Sequence, residues 1–304
     1  MALEFKQDLT ANYGQPEVLS PLITRVLCNN PSPYTYTGTN TYLVGTSDGL
    51  AVIDPGPEDF DHGVAILRAA AGRKIDKILV THSHIDHSPL AAKLSERTGA
   101  PIYGFGPHGT GRTGGLAGEE VEAGADWNYK PDIIVADGEE ITGPDWSITA
   151  FHTPGHTANH LCFHLKEENT TFVGDHIMGW ATTVISPPDG DVRQYIESLR
   201  KIANIAPDTL IPTHGPWVKN AVPFIRGIIA HRRMREGQIL KHLGLGCHTI
   251  ESLVSVMYKD VDPRLHPAAA RSVLGHLIAL VDEGRIISDG PAQLMSHYQL
   301  PETP

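Results

Sequence analysis

The most informative stretch of this chain is Thr81-His82-Ser83-His84-Ile85-Asp86-His87, which follows directly on a short apolar run. Side chains two apart on an extended segment point the same way, so His82 and His84 can hold one metal ion. Asp86 and His87 lie past the bend and can face a second ion. Three histidines and one carboxylate in this arrangement predict a metal site.

Short apolar runs closed by Gly, Pro or Asp surround this motif from about residue 18 to residue 214. Asn40–Val44 and Leu50–Ile53 flank a turn at residues 46–49 and predict a hairpin. Ser88 is the predicted N-cap of a helix that closes at Gly99, and residues 191–205 have the amphipathic spacing of another helix. Further strands are predicted at residues 77–80, 132–135, 147–151, 160–165, 170–173 and 209–211. These patterns indicate a strand-rich α/β core.

Three further fragments supply metal-binding side chains at the predicted ends of strands. They are Thr-Pro-Gly-His-Thr with His156, Gly-Asp with Asp175, and Pro-Thr-His-Gly with His214. Open α/β sheets form their sites at the carboxyl ends of strands, so these side chains are expected to meet. Each fragment alone is common in loops, and only their ordered combination with the His-x-His-x-Asp-His motif is specific. Imidazoles suit zinc and iron, and carboxylates also tolerate harder ions.

The ordered set resembles the metallo-β-lactamase fold superfamily over about residues 18–218. The resemblance implies an α/β fold built as an αββα sandwich. It also implies that Asp54, in Ile-Asp-Pro-Gly, props the metal loop, while a simple turn-forming aspartate is the equal alternative. One ion would be bound by His82, His84 and His156, the other by Asp86, His87 and His214, and Asp175 would bridge both.

A helical tail follows this region, and we predict a division into residues 1–218 and 219–304. Helices are expected at residues 224–243, 250–258 after the cap Thr249, and 267–283, followed by a strand at 285–287. Three helices and a strand resemble a small winged-helix domain. With Thr-Gly-Thr-Asn-Thr-Tyr-Leu-Val-Gly at residues 37–45 and His160 four residues after His156, the chain is similar to the β-lactamase-like type 2 group.

The resemblance implies a hydrolase that uses two divalent metal ions, most simply zinc, with iron or manganese as alternatives. A metal-bridging hydroxide would attack a phosphodiester, ester, thioester or lactone, and Asp86 could accept its proton. Some members of the group resemble endoribonucleases for single-stranded RNA, which is one alternative. A non-haem iron oxidoreductase is another, since the same ligands can hold iron.

The composition limits the partners. A net charge of -11 disfavours a protein that mainly coats nucleic acid. The helix at residues 267–283 offers only Arg271 and ends in Asp282-Glu283, so specific binding of duplex DNA is not expected. The tail is expected to close over the site or to form a homodimer. Three cysteines, no export signal and no long apolar run predict a cytoplasmic protein without membrane partners.

Two further features are interpreted as borders of the site. Tyr36 lies in a loop whose aromatic and hydroxyl groups could line the mouth, and His160 could donate a proton, bind substrate or support the ligands. Residues 104–130 hold eight glycines up to residue 124 and no sustained periodicity, which predicts a long flap or surface loop.

Overall fold

A sheet of seven strands carries the predicted hairpin in the computed structural model, which describes residues 3–112 and 124–302. The first four strands pair antiparallel, and the fourth to the seventh run parallel. The hairpin is confirmed, since Tyr42 pairs with Ile53 and Val44 with Ala51. In sheet order the strands are β1 (Pro16–Val18), β2 (Ile23–Leu27), β3 (Asn40–Val44), β4 (Leu50–Ile53), β5 (Ile75–Leu79), β6 (Ile102–Gly104) and β7 (Ile133–Ile134).

A second sheet of six strands follows in the chain. Its strands are β8 (Glu140–Thr142), β9 (Ser147–His152), β10 (Leu161–Leu165), β11 (Thr170–Gly174), β12 (Thr209–Pro212) and β13 (Val218–Lys219), and their order in the sheet runs from β13 back to β8. Strands β11 and β12 run parallel, whereas the other neighbours are antiparallel. The predicted strands are confirmed to within a residue or two at each end.

The two sheets pack face to face, and helices cover their outer surfaces. Alternation along β3 divides its side chains, so that Tyr42 and Val44 face the second sheet while Leu43 faces the outer helices. Helices α1 (Phe60–Ala70) and α2 (Leu90–Thr98) cover the first sheet, and α3 (Val192–Ile205) and α4 (Ala221–Leu243) cover the second. The αββα sandwich is therefore confirmed.

The start of α2 differs from the prediction. Gly99 closes the helix in the left-handed conformation as expected, but Ser88 is not its N-cap. The helix begins after Pro89, which makes no side-chain hydrogen bond, and the Ser88 hydroxyl donates instead to the Asp126 carboxylate at 2.7 Å. The Ser88 hydroxyl, which the local sequence pattern predicts to cap the helix, therefore bonds to a loop that is distant in sequence.

The tail contains the expected helices and one more strand than predicted. The Thr249 capping box opens α5 (Ile250–Met257), a 3₁₀ turn covers Pro263–Leu265, and α6 (His266–Asp282) follows. The predicted strand is β14 (Ile287–Ser288), and it pairs with the unforeseen β15 (Tyr298–Gln299). No helix in the described part of the chain has the length and apolar character needed to cross a membrane.

Helix α4 belongs to two hydrophobic clusters at once. Ile225 and Ile228, in its first half, pack with the apolar face of α3, whereas Ile239 and Leu243, near its end, pack with α5 and α6. The sandwich and the tail are thus joined by one continuous helix. The division after residue 218 stays a prediction.

Replacing Phe163 with alanine is expected to lower the free energy of unfolding by about 3–5 kcal/mol, because the ring is fully buried between the sheets and would leave a cavity. Urea denaturation measures the change. Phe60→Ala is the matched control, since that ring is 83% exposed and its loss should cost no more than about 0.5 kcal/mol. Equal losses in both variants would contradict the assigned core.

Candidate metal centre

All the predicted metal ligands meet at the carboxyl ends of strands from both sheets. They follow β5, β9, β11 and β12, with Asp54 at the end of β4. Three overlapping sets of donor atoms lie within 4.8 Å of one another: His82, His84 and His156; His82, His87 and Asp175; and Asp86, His87 and His214. Together these sets contain every ligand that the sequence predicts.

The distances divide the donors into the two expected groups. In the first, His84 Nδ1 lies 2.9 Å from His82 Nε2 and 3.2 Å from His156 Nε2. In the second, His214 Nε2 lies 3.1 Å from Asp86 Oδ2. The Asp175 carboxylate adjoins both groups, because its oxygens lie 3.8 Å from His156 Nε2 and 3.4 Å from His214 Nε2.

Hydrogen bonds at Nδ1 orient the rings of four histidines so that Nε2 faces the centre. The Nδ1 atoms lie near fixed acceptors: Thr81 Oγ1 for His82, Asp54 Oδ2 for His87, the Val184 carbonyl for His156 and the Gly38 carbonyl for His214, at 2.8 to 3.1 Å. Carbonyl and carboxylate oxygens only accept, and the Thr81 hydroxyl already donates to Asp54. Each Nδ1 therefore donates, and in the neutral imidazole Nε2 keeps the lone pair that can bind a cation.

Several polar atoms at the centre lack a hydrogen-bond partner in the described part of the chain. Among the described residues, His87 Nε2, His214 Nε2 and Asp175 Oδ1 are buried without a hydrogen-bond partner. A buried polar atom left unsatisfied costs about 1–3 kcal/mol. Coordination would satisfy all three atoms at once, so the donor set fits divalent cations.

The electrostatics of the centre also favour a cation. Burial would raise the pKa of Asp175 and of Asp86, but the charges of His214 and His87 hold both well below the usual range. Burial would lower the pKa of His87, yet Asp175, Asp86 and Asp54 raise it well above its ordinary value. The carboxylates thus draw a proton into the site, and the same potential attracts metal ions.

Asp54 joins two loops of the centre through its carboxylate, the one after β5 and the one after β12. Oδ1 accepts from the Thr81 backbone N–H at 2.8 Å, and Oδ2 accepts from His87 Nδ1 at 2.9 Å and from the Thr213 hydroxyl at 2.7 Å. The residue is fully buried and has φ of 47°, an uncommon conformation for a non-glycine residue. The geometry fits a prop for the metal loop rather than a simple turn.

The position before Asp175 requires a glycine, which is Gly174. It has φ of 50°, and a Cβ there would lie 2.5 Å from His160 Nε2. The His160 ring is completely buried, with its centroid 5.1 Å from that of His82, and its Nδ1 contacts the Thr153 hydroxyl at 2.9 Å. This geometry fits a supporting side chain beneath the ligands better than a contact with substrate.

The end of the glycine-rich segment packs on the first motif. Ala125 forms a β-bridge with His84, and the Asp126 backbone N–H donates to the Ser83 carbonyl at 2.7 Å. Strand β6 ends at Gly104, which is the first residue of the expected loop. Residues 113–123 of the predicted flap lie outside the described residues.

Tyr36 lies beside the last ligand loop. Its ring stacks on Trp180 with centroids 5.0 Å apart, and Trp180 packs against Gly215, the residue after His214. A Cβ on Gly215 would lie 2.5 Å from the Trp180 ring. The two aromatic rings therefore form one wall beside His214.

Sequence reasoning missed several residues that hold the ligands. Thr81 and Thr213 precede His82 and His214 in the motifs, and this repeated Thr-His pair was an available signal. Asn159, whose amide donates to Ser83 Oγ at 2.9 Å, gave no such signal. The backbone acceptors Gly38 and Val184 have no side-chain signature at all.

Two family models match the chain. The Metallo-beta-lactamase superfamily matches residues 34–214, and the Beta-lactamase associated winged helix domain matches residues 249–292. The chain therefore belongs to the metallo-β-lactamase superfamily and carries the winged-helix domain associated with it.

Individual relatives extend this assignment. The Beta-lactamase-like protein 2 homolog of Drosophila melanogaster is 34% identical over 281 residues, which are 88% of this chain and 90% of that protein. The resemblance to the type 2 group is thus confirmed. The Atrochrysone carboxyl ACP thioesterase of Aspergillus fumigatus is 32% identical over 230 residues, 74% of this chain and 65% of that protein.

A solved structure supports the fold. A metallo-beta-lactamase family protein from Thermus thermophilus has a TM-score of 0.75 at 20% identity, covering 93% of this chain and 100% of that chain. The match covers both the sandwich and the tail.

Replacing Asp54 with asparagine is expected to weaken zinc affinity by about 10- to 100-fold, because an amide cannot accept all the hydrogen bonds that hold Thr81, His87 and Thr213. Competition with a chromophoric chelator measures the affinity. Asp61→Asn, at an exposed position of α1, is the control. Unchanged affinity in Asp54→Asn would contradict the role given to this carboxylate.

Proposed function

We propose that this protein is a metal-dependent hydrolase that uses two divalent cations to cleave a thioester. The observation that carries the proposal is the convergence of the seven ligands in two groups with Asp175 between them. Zinc suits the mainly imidazole donor set best. The ligand assignment His82, His84 and His156 for one ion, and Asp86, His87 and His214 for the other, is part of the proposal.

Two divalent ions, when bound, would lower the pKa of an attacking water and polarise the substrate carbonyl. Asp86 is suited to take the proton, because its side chain is 23% exposed while those of Asp175 and Asp54 are 11% and 0% exposed. The water oxygen would form the new C–O bond as the C–S bond breaks. A thiol has a pKa of about 8.5, so the thiolate can leave without prior protonation.

The residues around the ligands support an acyl substrate rather than a polyanion. Residues 81–87, 153–160, 174–184 and 212–217, which form the four ligand loops, contain no lysine or arginine. Ile85 within the motif and Trp127 beside it are 49% and 57% exposed. An apolar rim of this kind suits an acyl chain, and the relative from Aspergillus fumigatus is named as a thioesterase.

Hydrolysis of single-stranded RNA is less well supported. Nucleic-acid affinity depends on cationic side chains that neutralise phosphates, and the ligand loops supply none. Aromatic residues at the rim could stack on bases, but stacking grooves for single strands also carry positive charge. Cleavage of single-stranded RNA is therefore not expected of this protein.

Zinc-loaded protein is expected to release thiol from an acyl thioester of N-acetylcysteamine, measured by the colour of a thiol reagent. His84→Ala should reduce the rate to that of chelator-treated protein, because His84 Nδ1 lies next to the donor atoms of both other members of the first ligand group. His297→Ala, at an exposed position in the tail, is the matched control and should keep full activity.

Other outcomes distinguish the alternatives. Metal-dependent cleavage of single-stranded RNA without thiol release would favour the endoribonuclease. Copurified iron with oxygen consumption would favour the oxidoreductase. Either result would overturn the thioester proposal.

A further inference from the structure

Arg232 is a buried cation in the middle of α4. It is 4% exposed, and within the described chain no carboxylate lies within ion-pair distance of its guanidinium. The next residue, Arg233, is exposed. Burying an unpaired charge is costly, so the position needs compensating contacts.

Arg232 contacts the sandwich through a hydrogen bond and an aromatic ring. Its Nη2 donates to the carbonyl oxygen of Thr183. Its Cζ atom lies 5.1 Å from the ring centroid of Tyr195 in α3, an arrangement that stabilises the charge through the π face. The Tyr195 hydroxyl in turn donates to the carbonyl of His176 at 2.8 Å. Arg232 and Tyr195 thus hold both ends of residues 176–183.

The segment that Arg232 holds is bonded directly to two predicted metal ligands. The Thr183 hydroxyl donates to the carbonyl of Asp175 at 2.8 Å. The carbonyl of Val184, the next residue, accepts from Nδ1 of His156 at 2.8 Å. One short segment therefore fixes the backbone of the bridging carboxylate and the ring orientation of a ligand from the first group.

We propose that Arg232 is a positioning residue of the metal centre, acting through residues 183–184 on Asp175 and His156. The proposal rests on the metal binding in the proposed function. The Thr183 carbonyl accepts from a long side chain that reaches it from α4 across the interface. Without that donor the segment would gain freedom, and His156 Nε2 would spend less time in the orientation that suits a cation.

Arg232 also lies close to the tail. Arg232 lies between the two clusters that α4 joins, since Ile228 packs on α3 and Ile239 packs in the tail. His276 of α6 is buried close enough for the charge of Arg232 to contribute, after burial, to lowering its pKa to about 3. His276 of α6 therefore lies near Arg232, whose hydrogen bond and ring contact are with the sandwich.

Arg232→Met should weaken zinc affinity by about 10- to 100-fold, the usual effect of removing a group that orients ligands. Competition with a chromophoric chelator measures it, and hydrogen–deuterium exchange should rise in residues 176–186. Arg233→Met is the matched control and should leave both quantities unchanged. Arg232→Lys keeps the charge and a donor, so its affinity should lie between those of the unsubstituted protein and Arg232→Met.

A purely structural role would have a different signature. It would lower the melting temperature of the metal-free Arg232→Met variant without changing zinc affinity or exchange in residues 176–186, and that result would overturn the proposal. If Arg232→Met does not fold, Arg232→Lys decides, and unchanged affinity there would overturn the proposal. Absence of zinc binding in the unsubstituted protein would overturn the proposed function as well.

Discussion

The structure of the centre depends on one buried carboxylate. Asp54 ends the central strand β4, and its oxygens accept hydrogen bonds from the loop after β5 and from the end of β12 in the opposite sheet. Inside the protein such bonds to a charged acceptor are stronger than neutral ones, and no water competes for them. Asp54 therefore links the two sheets at the edge where the predicted metal ligands lie. His87, which it also orients, then faces the centre through Nε2.

Hydrogen bonds to fixed acceptors also orient the other predicted metal ligands. His156 and His214 each donate through Nδ1 to a backbone carbonyl of a different loop, and His82 donates to the hydroxyl of Thr81, which Asp54 holds in turn. The ring orientations are consequently fixed by the fold before any cation arrives. The proposed binding of two ions would satisfy the Nε2 atoms of His87 and His214, which are buried without a hydrogen-bond partner among the described residues.

Much of this was accessible from sequence, and the limits have physical causes. Side-chain periodicity and strand-ending Gly, Pro and Asp located the sheets, and the ordered ligand motifs predicted which side chains would meet. Ser88 was assigned wrongly to the helix cap because Asp126, which takes its hydroxyl, is 38 residues away in the chain. The carbonyls of Gly38 and Val184 could not be found, since a backbone acceptor leaves no mark on residue type. Arg232 resembled its neighbours in a helix of mixed charge, and only the packing of α4 on α3 separates it from Arg233.

The shared helix α4 also limits how this chain can be divided or recombined. Its first half covers apolar side chains of α3, and its second half completes the core of the tail. A sandwich fragment that ends at residue 218 would expose the apolar face of α3 to water. A tail fragment that begins at residue 219 would expose the apolar side chains in the first half of α4. Exchange of winged-helix modules between relatives would therefore have to preserve both surfaces of α4, because a join after Leu243 would separate Ile239 and Leu243 from the tail side chains on which they pack. By this reasoning, the length of a single helix decides which fragments of the chain can be inherited independently.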